Sequence, residues 1–216
     1  GGEVPEVNIG LMPCLVTTYE QGMAWKKQPI GQELVSLLDK RGVRIVTWVW
    51  QAGGTASRSA SIVGPDDVKG QKIRGGSREM DLMLKAAGGI ISSVPSNEIY
   101  AAMQTGSLDA AVTTGSFWFM LEPLLMSKQV YDSLPAAHQK AIDEVGAEME
   151  AFGLQAAKAD DEDLVRVFSK AGVPAKDMDA AAIGKWRALA EGTAWDDFAK
   201  RNAACAGLLK LAQAVA

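Results

Sequence analysis

The residues with the clearest chemical potential lie between Lys72 and Ser77, K-I-R-G-G-S. Arg74 closes a short apolar and basic segment, Gln71 to Arg74, and Gly75-Gly76 then allows a tight backbone turn without a Cβ penalty. Ser77 is a good N-cap, and Met80, Met83, Leu84 and Ala87 recur at helical spacing until Gly88-Gly89. The pattern predicts a strand, a turn and a helix whose N-terminus opens beside Arg74. Free amide N–H groups and the helix dipole favour an anion there, and a planar guanidinium adds a two-pronged fork suited to a carboxylate. Arg78, just inside the helix, is a second cation that either faces solvent or turns inward. The ordinary alternative for Arg74 is a surface ion pair at a strand end. Spacing alone does not choose between them.

Other reactive groups are sparse. His138 has no second histidine to join it in a metal site or triad, and reads as part of a solvated helical face. Asp109 and Glu122 can be nominated as acid and base of a small-acid enzyme, but neither has a spaced partner, and Asp109 also fits a turn entering a strand. No nucleophile elbow, P-loop or dinucleotide fingerprint is present. Cys14 and Cys205 read as two buried thiols that pair only if the fold brings them together. No catalytic residue, metal or cofactor is therefore expected.

The elements that must position Arg74 follow from the surrounding pattern. After the first helix, Ile90 to Val94 reads as a strand. Pro95 and Ser96 start a second helix with Ile99, Ala102 and Met103 inward, and Gly106 stops it. Leu108, Ala110 and Val112 alternate as a third strand, which leaves Thr113 and Thr114 at its C-terminal end as hydroxyl donors. Upstream, Val7 to Leu15 reads as a strand, Tyr19 to Asp39 as helical, and Arg44 to Gln51 as a strand with Trp48 and Trp50 on one face. Trp50 then stands at a strand end, as a pocket wall or as core. Ala52 to Ser61 lacks periodicity and reads as a hinge-like connection. Downstream, Phe117 to Met126 is a strand whose Trp118 borders the ligand or packs in the core. Pro135 to Lys170 is one long helical stretch, about 50 Å if continuous, with Gly146 and Gly153 as places to bend. Two more helices follow, around Ala180 to Glu191 and Thr193 to Ala216, with Gly192 as a stop and Thr193 with Asp196 as a capping pair.

The 216 residues, 48% hydrophobic and 22% charged, suit a globular chain of one large domain or two modest lobes. A net charge of −4 with no dense basic stripe argues against a nucleic-acid surface. The most apolar stretch, Phe117 to Met126, is too short to cross a bilayer. No signal-peptide pattern is visible in GGEVPEVNIG.

Three stretches, D-D-V-K-G-Q-K-I-R at Asp66 to Arg74, E-I-Y-A-A-M-Q-T-G-S-L-D-A-A at Glu98 to Ala111, and M-S-K-Q-V-Y-D-S-L-P at Met126 to Pro135, resemble solute-binding proteins of tripartite ATP-independent periplasmic (TRAP) transporters. The resemblance implies a two-lobed periplasmic-binding-protein-like α/β fold with a cleft and a long lobe-spanning helix. Residues 1–54 and about 115–135 would form a partial lobe I and 55–114 lobe II. Residues 136–171 would be the spanning helix, and 172–216 helices that pack on the lobes. Relative to the family pattern, the chain is expected to lack an N-terminal part and an internal segment near Gly115. The resemblance further implies that Arg74 grips the carboxylate of an organic acid and that membrane permease subunits receive it, which would place the protein in the periplasm. A sensor role is the alternative to transport. Thr113 stands where the family commonly has asparagine, and Gly54 where many members carry a second arginine, with Arg58 offset by four. One fixed cation, the hydroxyls of Ser77, Thr113 and Thr114, and indole walls from Trp50 and Trp118 predict an aromatic or apolar monocarboxylate as ligand.

Overall fold

The structure is a computed structural model that describes residues 4–215; of residues 113–117, inside a strand, only the backbone course is described. The chain opens on a 3-10 helix, Pro5–Leu11, where a strand was expected over Val7 to Leu15. Pro5 pre-sets a helical φ, and a short apolar run does not by itself separate strand from helix. The next stretch divides into α1 (Tyr19–Trp25) and α2 (Pro29–Lys40), because Pro29 begins a new helix.

The expected strand Arg44 to Gln51 is two strands. β1 (Val43–Thr47) pairs antiparallel with β6 (Leu124–Ser127) in a two-stranded sheet. β2 (Trp50–Ser57) belongs to a second sheet of order β2-β5-β3-β4, with β3 (Lys72–Arg74), β4 (Ile90–Ile91) and β5 (Ala110–Leu121). The break falls at Trp48, whose backbone N–H donates to the buried Glu150 carboxylate at 3.2 Å instead of to a neighbouring strand. The predicted α/β character holds around Arg74, where β3 runs parallel to both β4 and β5, while β2 is antiparallel to β5.

The small residues of Ala52 to Ser61 begin as strand, not as a loose connection. A Cβ on Gly53 would fall 2.4 Å from the Trp118 ring, so glycine there is what lets the indole lie across β2. The first strand–helix–strand unit is completed by α3 (Arg78–Ala86). A second follows through α4 (Ile99–Thr105), which ends on left-handed Gly106 at φ 79°.

A short helix α5 (Lys128–Ser133) precedes α6 (Ala136–Lys170), whose 35 residues run unbroken through both glycines. Gly146 is a point of close approach: a Cβ on it would meet the Val46 carbonyl at 2.5 Å. The tail is α7 (Ala180–Ala190), a π-helical turn Glu191–Trp195, α8 (Asp196–Arg201) and α9 (Ala203–Gln213). Gly192 therefore stops nothing. The Thr193 hydroxyl donates back to the Leu189 carbonyl at 2.6 Å, and the break comes at extended Asn202, whose side chain caps α9. The core is rich in indoles, with Trp25 and Trp50 edge to face at 5.1 Å. Cys14 and Cys205 are buried free thiols, and burial pushes the Cys14 thiol up to about 12.

Candidate functional site

The parallel strands β3 and β4 end on one edge, with Ile73 opposite Ile91, while β5 starts alongside them at Ala110, places Ala111 opposite Arg74 and runs on past that edge to Leu121. That edge carries Arg74, the Gly75-Gly76 turn, the Ser77 N-cap and the chain leaving β4. Half-buried Arg74 donates Nε to the Val94 carbonyl at 3.2 Å, which aims the guanidinium across the turn. Its Nη1 would lie 2.8 Å from a Cβ on Gly76, a residue at φ 91°, so glycine is required both by the backbone and by the arginine. Among the described residues Arg74 makes no ion pair. The ordinary strand-end salt bridge is thus not what this structure contains, and the outer guanidinium N–H groups remain for an anion.

The turn is held from the helix side. Ser77 accepts the Met80 N–H at 3.1 Å, and Asp81 Oδ1 accepts the Gly75 N–H at 3.1 Å. Burial raises the Asp81 carboxyl from its ordinary value, against the lowering effects of the Gly75 amide and the Arg74 charge. Fully buried Glu79 ties α3 to the rest of the molecule. Its Oε1 accepts from Asn8 Nδ2 and from Arg201 Nη1, both at 2.8 Å. Arg201 also forks onto Asp197 at 3.0 and 2.6 Å. Burial alone would raise Asp197, but hydrogen bonds from Arg201 and Arg78 outweigh it and hold the carboxyl below its ordinary range.

The sequence-predicted residues separate clearly. Arg74 and Ser77 share the corner. Arg78 is exposed and paired with Asp197 at 2.9 Å, so it does not supply a second cation there. Arg58 lies at the opposite, N-terminal end of the parallel strands, 3.9 Å from Asp109. Trp50 is 2% exposed and Trp118 3%, packed on Trp25 and over Gly53 respectively. The core alternative therefore applies to both indoles, because neither leaves surface for a ligand. Thr113 lies on β5 with its backbone opposite Gly54; the side chains of Thr113 and Thr114 lie outside the described residues. Asp109 and Glu122 flank opposite ends of β5, and His138 is exposed. The sequence reading missed Val94, whose contribution is a carbonyl and carries no side-chain signal. It also missed Asp81, for which the only hint was an acidic first helical turn. An apolar groove of about 520 Å³ between β1, β6 and α6 lies on the other sheet and offers an anion no cationic group, Thr47 being the one polar side chain in its walls.

Two parallel strands ending beside an arginine that makes no ion pair and a capped helix, within a helix-rich α/β chain, form a corner suited to an anion. The chain belongs to the bacterial extracellular solute-binding protein family 7 (DctP), whose model matches residues 1–122 and 118–202. A solute-binding protein of Albidiferax ferrireducens is 51% identical over 234 residues, covering 99% of this chain and 69% of its own. The C4-dicarboxylate-binding periplasmic protein DctP of Rhodobacter capsulatus is 23% identical over 74% of this chain, which spans only 54% of that relative. Among solved structures, a TRAP periplasmic solute-binding protein from Rhodoferax ferrireducens with bound malonate superposes with a TM-score of 0.94 at 50% identity, covering 99% of this chain and 74% of that one. The two family-model segments meet at residues 118–122, close to where the β2–β5 register jumps between the Gly53–Trp118 and Gly54–Thr113 pairs. Among the described residues no helix is long and apolar enough to cross a membrane.

Proposed function

We propose that the protein captures a small organic carboxylate at the Arg74 corner and hands it, chemically unchanged, to the membrane subunits of a TRAP transporter from the periplasmic side. The observation that carries this reading is the unpaired Arg74 guanidinium at the C-terminal edge of parallel strands, on a chain of this family. The cleft would lie between a lobe of residues 1–54 and about 115–135 and a lobe of residues 55–114, with α6 spanning both. An aromatic body is no longer favoured, since Trp50 and Trp118 are in the core. Malonate in the 50%-identical neighbour supports a compact acid instead.

Calorimetric titration against a panel of small mono- and dicarboxylates tests this. Arg74→Ala should weaken the tightest binder by roughly 2 to 5 kcal/mol, the range for truncating one partner of a buried charged pair. Arg74→Lys should restore only part of that, because an ammonium cannot form the planar fork. Binding by Arg74→Ala within about threefold of wild type would place the clamp elsewhere, since a charged partner's loss cannot be that small. Recovery of the ligand chemically altered after incubation would favour the enzyme alternative.

A further inference from the structure

The corner that is to receive a carboxylate already contains one. Asp81 stands in the first turn of α3, and its Oδ1 occupies the N–H of buried Gly75, an amide donor of the turn next to Arg74. The approach is tight, since a Cβ on Gly75 would sit 2.3 Å from that oxygen. Only glycine at this position lets the carboxylate reach the turn. The Arg74 guanidinium and the Glu79 carboxylate are the charges that act on Asp81, and Arg74 does so through space, without a direct ion pair. Glu79 has its own partners in Asn8 and Arg201, whereas Asp81 is held by the amide of Gly75, the residue next to Arg74.

Resting on the reading of Arg74 as the clamp, we propose that Asp81 is a specificity-determining residue: its carboxylate takes one of the corner's amide donors and sets a negative potential that the site tolerates for one ligand carboxylate and penalises for a second. The physical reason is that the repulsion between Asp81 and a ligand scales with ligand charge. One unit charge removed from a site at about 8 Å, in a medium of dielectric about 40, changes affinity by about fivefold for a monoanion and towards 25-fold for a dianion. A role limited to bracing the turn would have no such dependence on ligand charge.

The test is calorimetric titration of wild type, Asp81→Asn, Asp81→Glu and Arg74→Ala with the three-carbon pair propionate and malonate at neutral pH. Asn keeps an oxygen to accept the Gly75 N–H, and thermal melts report whether the variant is folded. The expected result is a gain of about fivefold for propionate and a clearly larger gain for malonate in Asp81→Asn, with the wild-type malonate-to-propionate ratio retained in Asp81→Glu. Equal factors for the two ligands, or changes within about twofold for both, would overturn the proposal, because they remove the dependence on ligand charge. Should Asp81→Asn not fold, a shifted ratio in folded Asp81→Glu, where the charge is kept, would likewise overturn it. Arg74→Ala separates the two readings. If it binds both acids as wild type does, the clamp itself is wrong. If it loses both while Asp81→Asn leaves the ratio unmoved, only the role of Asp81 is.

Discussion

Replacing Glu79 by alanine should be among the most damaging single changes in the described structure, and its size can be worked from the contacts. Glu79 is fully buried, and one of its oxygens accepts from both Asn8 and Arg201. Removing it leaves the mostly buried Arg201 guanidinium with a neutralising partner on one side only, Asp197 at 2.6 Å. Breaking a buried ion pair costs about 3 to 5 kcal/mol, and the retained Asp197 contact argues for the lower end. The stranded Asn8 amide adds about 1 kcal/mol, for a total near 4. At about 2 to 4 °C per kcal/mol for a chain of this size, the melting temperature should fall by about 8 to 16 °C. Urea unfolding followed by circular dichroism provides the free energy, provided the slope is unchanged. Glu79→Gln, which keeps an acceptor but not the charge, should fall between, at about 2 kcal/mol. A loss below about 1 kcal/mol in Glu79→Ala would refute the view that this network fixes α3, and with it the anion corner, to α8 and the first turn of the chain.

Three further outcomes follow from other contacts. Gly53→Ala should destabilise by about 1 to 3 kcal/mol in urea titration, because its Cβ would enter the Trp118 ring, and Trp118→Leu in the same chain should recover part of that. The folded-state carboxyl of Asp197 lies below its unfolded value, so the stability it contributes is complete above the unfolded value and is lost as pH falls through the folded one. Acid titration of stability below about pH 4 should therefore be shallower in Asp197→Asn than in wild type, and identical acid limbs would count against that coupling. Asp81 has the opposite sign: its raised carboxyl weakens the fold at neutral pH and ceases to do so as pH falls, so Asp81→Asn should melt no lower than wild type at pH 7.

The sequence by itself determined the local frame of the site. Gly75-Gly76, the Ser77 cap, the Met80–Leu84 stripe and the glycine stops at Gly88 and Gly106 all appear where their backbone chemistry requires them, because caps, turns and 3.6-residue periodicity are set by residues near in the chain. The 35-residue α6 was legible for the same reason. Only the tertiary structure decided what depends on residues distant in sequence. It split Arg44 to Gln51 where Glu150, about a hundred positions on, takes the Trp48 amide, and it packed small residues at Gly53 and Gly146 against Trp118 and Val46 instead of leaving them to bend. It drew Trp50 into the core beside Trp25 and turned Arg78 towards Asp197. It left Arg74 bonded to the Val94 carbonyl without an ion pair, and put the Asp81 carboxylate on the amide of the next residue, Gly75. Whether an arginine is a surface ion pair or an anion clamp depends on which carboxylates the fold brings within reach, and that is a property of packing that no local pattern contains.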